Sequence, residues 1–137
     1  MVKILHLNGF SDTELKHYSF LVHTNVITAM QQLIVGLEIL AIDSSRDNIA
    51  EEMETIRRFV ESTKYTTSSI DTETARTVSV LWSSSSIQTC YERRAEIDLL
   101  ESAKYFLDDV DRVTNQSYVP TPQDINKEYT IGTLPDL

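Results

Sequence analysis

The stretch SDTELKHYSFLVHTNVITAMQQLIVGLEIL, residues 11–40, decides the fold. Its apolar residues Leu15, Tyr18, Val22, Val26, Ala29, Leu33, Leu37 and Leu40 recur in steps of three and four, the spacing of one face of an α-helix. Ser11 and Glu14 open it as a capping box, the serine capping the first turn and the glutamate reaching back. Phe20, Ile27 and Ile34 carry the apolar surface beyond a single stripe. A helix that is apolar on more than one side needs neighbours on more than one side, so this segment is expected to be the central helix of a bundle. Gly36 within it costs about 1 kcal/mol relative to alanine, and is read as the mark of a close helix–helix approach.

Downstream, Asp43 to Asp47 is a polar break. A second helix is expected from Asp47 past Phe59, with Ile49, Met53, Ile56, Phe59 and Val60 turned inward and Glu54–Arg58 as a four-apart ion pair. Residues 62–69 are mostly serine and threonine and read as a loop. Asp71 caps a third helix carrying Ala75, Val78, Leu81 and Trp82. Ser86 is expected to cap a short fourth helix through Ile87, Cys90 and Tyr91. A fifth covers Leu100 to Thr114, with Ala103, Phe106, Leu107, Val110 and Val113 inside and Asp108–Arg112 as a second four-apart pair. Thr121-Pro122 reads as a cap followed by proline at the first helical position of one short turn. No strand is expected. The fold class is therefore all-α: a single bundle with a long central first helix surrounded by about five shorter helices. Residues 1–10 read as a linker-like segment, 11–125 as the domain and 126–137 as an irregular tail.

Composition narrows the function. The chain has 137 residues, the size of one domain, and a net charge of −9. A surface this acidic repels nucleic acid and anionic lipid. Three glycines are too few for the many tight turns of a β-sandwich or barrel. The single cysteine, Cys90, rules out an intrachain disulfide, and a reducing, cytoplasmic setting fits. No signal-peptide pattern, myristoylation signature or unbroken apolar run of about 18 residues is found, so no direct membrane anchor is expected.

Sites that would carry chemistry are also missing. Neither Gly-x-x-x-x-Gly-Lys-Ser/Thr nor Asn-Lys-x-Asp occurs, so P-loop hydrolysis of a nucleotide is not expected of this chain. His17 and His23 are six apart, about 120° off a shared helix face, and with His6 they read as surface or packing histidines. Asp108, Asp109 and Asp111 lack the glycine that a calcium loop needs and read as a solvated helix face. Cys90 lies on an apolar face and reads as a buried structural thiol.

The polar residues between the core positions carry a resemblance. Leu81-Trp82, Ile87-Gln88, Cys90-Tyr91, Arg93-Arg94 and Glu96 resemble the junction of the third and fourth helices in the helical domain of heterotrimeric G-protein α subunits. Ser102-Ala103-Lys104-Tyr105-Phe106-Leu107 and Asp111-Arg112-Val113 resemble that family's fifth helix. Tyr118, Pro120-Thr121 and Gln123-Asp124 resemble the segment before switch I, and Lys3-Ile4 with Gly9-Phe10-Ser11 the stretch entering the helical domain. The matches run from residue 1 to about 125, in the family's order.

The resemblance implies a helical domain that lies like a lid over a guanine nucleotide held by a Ras-like domain. It places Glu101 and Ser102, at the entrance to the fifth helix, at the nucleotide cleft. The family usually has aspartate at the Glu101 position, pairing with a lysine across the cleft. The alternative for both residues is helix capping and first-turn dipole complementation. Arg93 and Arg94 are expected to buttress that loop through local acids, or else to form a solvated basic pair. The family's catalytic arginine position is occupied by Tyr129 and its magnesium-binding threonine position by Gly132, so the likeness stops where catalysis would begin. The implied chain is a monomer and not itself an enzyme. GTP or GDP and magnesium would be held by the Ras-like domain. Partners would be that domain and G-protein regulators, in the cytoplasm or at the inner face of the plasma membrane. Two other readings remain: a stand-alone helical interaction module with no nucleotide role, and a non-functional truncated copy.

Overall fold

The computed structural model describes residues 11–62, 70–115 and 117–128. The expected N-terminal linker, His6, most of the 62–69 loop and residues 129–137 of the expected tail lie outside them. The helices are α1 (Asp12–Ile39), α2 (Ala50–Glu61), α3 (Thr72–Ser83), α4 (Ser85–Glu92), a 3₁₀ turn (Arg94–Glu96), α5 (Ala103–Asp108), α6 (Val110–Val113) and α7 (Pro122–Glu128). Among the described residues there is no strand.

α1 is the spine, and packs against every other α-helix among the described residues. Its 28 residues make a rod of roughly 42 Å. Val22, Val26, Ile27, Met30, Leu33 and Ile34 are all buried, which requires partners around most of the circumference. The capping box forms as expected: the Glu14 amide donates to Ser11 Oγ at 3.2 Å, and the Ser11 amide to Glu14 Oε1 at 2.9 Å. By length and apolar content α1 is also a helix that can cross a bilayer, contrary to the expectation that no stretch qualified. More than half of that stretch is buried among the other helices, which accounts for its apolar character.

At Gly36 the close approach is real. A Cβ there would sit 2.6 Å from Cys90 Sγ and 2.9 Å from Ile97 Cδ1. Cys90 is fully buried, and its thiol donates to the Leu33 carbonyl of α1 at 3.4 Å. α1 ends in a Schellman motif: the Ile42 amide bonds the Leu37 carbonyl and the Ala41 amide the Glu38 carbonyl. Ala41 takes the left-handed position, at φ 55°.

Several expected boundaries are corrected. α2 starts at Ala50, not Asp47, because Asn48 adopts φ 55° and breaks the helical run. The Asp47 carboxylate instead crosses to α4 and accepts from the Ser86 amide at 2.6 Å and from the Ser86 hydroxyl. Ser86 is therefore buried beneath Asp47, and Ser84 caps α4 through the Ile87 amide. On α2, among the described residues, Arg57 and not Arg58 makes the ion pairs, with Glu38 of α1 at 3.0 Å and Glu54 at 3.6 Å. The expected fifth helix is two short helices. The Leu100 amide bonds Gln32 Oε1 of α1, so the helix begins later, at Ala103. Asp109, at φ −111° and ψ 24°, breaks it again before Val110. Both pieces keep the expected inner face, with Ala103, Phe106, Leu107, Val110 and Val113 buried. α7 continues to Glu128, so Asn126 is helical and not part of an irregular tail.

Candidate functional site

Glu101 and Ser102 form the turn that enters α5. Glu101 is exposed, and no ion pair among the described residues involves it. Ser102 is buried at 3% exposure. Its hydroxyl makes no capping bond and has no hydrogen-bond partner among the described residues. Side-chain capping by Ser102 is thus corrected. A buried hydroxyl without a partner costs about 1–3 kcal/mol.

Arg93 pairs with a local acid, Glu96, and among the described residues neither Arg93 nor Arg94 has a hydrogen bond or ion pair to Glu101 or Ser102. Arg93 grips Glu96 with two bonds, at 2.9 and 3.0 Å, and braces the 3₁₀ turn. The Arg94 guanidinium lies 4.3 Å over the Tyr91 ring, and Arg94 donates to the Tyr91 carbonyl. Tyr91 meets Trp82 edge-on, and the half-buried Trp82 indole donates to Asp108 at 2.9 Å. Asp108 also holds Lys104. A chain of contacts therefore runs from the 3₁₀ turn across α3 to the outer side of α5. The expected pair Asp108–Arg112 is replaced by these partners. Among the described residues no group of three or more His, Cys, Asp or Glu is placed to hold a metal.

The strongest polar cluster was not anticipated as a unit. Asp124 on α7 is fully buried. Its Oδ1 accepts from Tyr105 at 2.7 Å and from Arg112 Nη2 at 2.9 Å. Its Oδ2 accepts from Arg112 Nη1 at 2.9 Å, Tyr118 at 2.7 Å and the Thr121 amide at 3.1 Å. Burial alone would raise the Asp124 carboxyl, but bonds from Arg112, Tyr118, Thr121 and Tyr105 outweigh it and hold the group well below the usual carboxylate range. Burial and the bond to Asp124 push the Tyr105 phenol up to about 12, and move Tyr118 upward for the same reasons. Thr121 Oγ1 in turn accepts from the Asp124 amide at 3.1 Å, so the expected Thr121 cap forms reciprocally. The Thr121–Asp124 spacing was the visible signal; the Tyr105 and Arg112 partners come from α5 and α6 and leave no local pattern. This cluster ties the helix that Ser102 enters to α7.

His23 is the packing histidine expected, 5% exposed. An open groove of about 840 Å³ runs past it, lined by Leu15 of α1, Ile70, Thr114 and Tyr118 among others. Neither Glu101 nor Ser102 lines it. The geometry thus offers an all-helical body, an exposed acidic turn at the head of α5 with no ion pair among the described residues, and a buried carboxylate pinning α5 to α7. A model of the G-protein alpha subunit family matches residues 1–134. The chain belongs to the G-protein alpha subunit family.

Proposed function

We propose that the chain is the family's helical lid, covering a guanine nucleotide held by a separate Ras-like domain and slowing its escape. The observation that carries this is the turn at Glu101–Ser102. Among the described residues it presents an exposed carboxylate with no ion pair beside a buried hydroxyl with no partner, on a helix that Asp124 locks to α7. An exposed carboxylate suits a lysine across a cleft, and closure of the lid would bring an acceptor to Ser102. Lid closure excludes solvent and opening permits exchange, so the module would regulate by position and not by chemistry. On this reading nucleotide and magnesium belong to the Ras-like domain, and the chain itself does not hydrolyse GTP. Regulators of G proteins would be further partners, in the cytoplasm or at the inner face of the plasma membrane.

Two measurements test the reading. Reversing the charge with Glu101→Lys is expected to weaken association with a Ras-like α-subunit domain about tenfold, while far-ultraviolet circular dichroism stays unchanged. Equal affinity of variant and parent would remove Glu101 from the interface. Calorimetry of the isolated chain with GDP is expected to show no binding, and micromolar affinity would contradict the lid.

A further inference from the structure

His23 bridges three parts of the bundle through both of its ring nitrogens. Nε2 lies 2.5 Å from the Val113 carbonyl at the end of α6, an acceptor, so Nε2 must carry a proton. Nδ1 faces the Ile70 amide at 3.5 Å, just ahead of α3, a donor, so Nδ1 must be bare. The ring also stacks on Tyr118 with centroids 6.2 Å apart, at 25°. Only the neutral Nε2–H tautomer satisfies these contacts. A second proton on Nδ1 would confront the Ile70 N–H.

Among the described residues, burial and the Val113 bond are what act on the ring's proton affinity. On α1, Lys16 lines the same groove as His23. Before α3, Asp71 follows Ile70, and its carboxylate accepts from the Thr74 amide in α3's first turn. On α6, Arg112 is committed to Asp109 and Asp124, and its guanidinium lies 5.7 Å from the far partner of the stack, the Tyr118 ring. Asp124 is saturated by five donors, one of them Tyr118 itself.

We infer that His23 is a proton-operated latch: neutral, it clasps α1 to the entrance of α3, the end of α6 and the Tyr118 segment, and protonated it lets the α3 entrance go. Burial lowers the imidazole's pKa from 6.5, and the bond to Val113 only partly offsets this. The unfolded chain therefore binds the proton more readily than the folded one. The latch is closed above pH 6.5, and its contribution is lost as pH falls from 6.5 toward the lower folded value. This does not depend on the lid reading, since it concerns the bundle alone.

The test uses the full chain with H6Q and H17Q, leaving His23 as the sole histidine. Between pH 7.5 and 5.5 its unfolding constant is expected to rise by up to about tenfold, the linkage limit for one group with an unfolded pKa near 6.5. Adding His23→Gln, which keeps a donor and an acceptor but cannot titrate, is expected to flatten that slope. Equal slopes with and without His23→Gln would overturn the latch. Should the glutamine variant fail to fold, nuclear magnetic resonance titration of the single-histidine chain decides. An imidazole midpoint below 6.5, with the Ile70 amide moving in step, supports the latch. A midpoint at or above 6.5, or an Ile70 amide indifferent to it, overturns it.

Discussion

Two residues show how side-chain choice sets the bundle. Asp124 is a buried anion whose charge is matched by one guanidinium and spread over five donors. Removing one member of such a set leaves the others unpaired inside the protein. Asp124→Asn is expected to cost about 3 kcal/mol at pH 7, seen as a lower urea midpoint. Because the folded carboxyl lies below its unfolded value, its contribution is present above pH of about 4 and fades as pH falls further. The asparagine variant should therefore lose part of the parent's acid sensitivity below pH 4, well apart from the His23 window. Gly36 is the second. Gly36→Ala gains about 1 kcal/mol of helix propensity but drives a methyl into Cys90 and Ile97, for a net loss of about 1–2 kcal/mol. Combining it with Cys90→Ala should recover part of the loss, a coupling that a double-mutant cycle in urea measures. Gly36 was legible because a glycine in a long apolar helix has few other uses. Asp124's role was half legible: Thr121 three residues before it announces a cap, whereas Tyr105 and Arg112 meet it only after α5, α6 and α7 have packed.

At the scale of the element, the segments that match expectation are those governed by neighbours in sequence. The α1 capping box, its apolar period and the Asp71 cap of α3 are local, and each forms. Two of the departures occur where a distant group intervenes. Asp47 was read as the start of α2, but its carboxylate stabilises the first turn of α4, 39 residues on, and so moves the α4 cap from Ser86 to Ser84. Gln32 takes the Leu100 amide and so shortens the head of α5. Ala41 offers a clean test of the α1 terminus. It is exposed and sits at φ 55°, where an L-residue with a Cβ is strained by about 1 kcal/mol. Ala41→Gly is expected to raise the stability by about 0.5–1 kcal/mol despite the entropy of glycine, as a higher melting temperature. A lower melting temperature would mean that the Schellman turn does not end α1.

Across the described residues, α1 organises the rest because every other α-helix there touches it. The family resemblance lay in polar residues that the packing alone does not demand, Arg93-Arg94, Ser102 and Asp111-Arg112 among them. The structure divides these by what they touch. Arg93 and Arg94 brace the 3₁₀ turn and Tyr91, and Arg112 holds Asp124. Ser102 is buried with its hydroxyl unpaired, at a turn where Glu101 is exposed. That unspent pair is what the lid account rests on, and nucleotide retention tests it most directly. A Ras-like α-subunit domain loaded with labelled GDP is mixed with saturating chain, and the rate of GDP loss is followed. The account predicts slower release with the chain than without it, and a smaller effect with Glu101→Lys. Release at the same rate with and without saturating chain would contradict it.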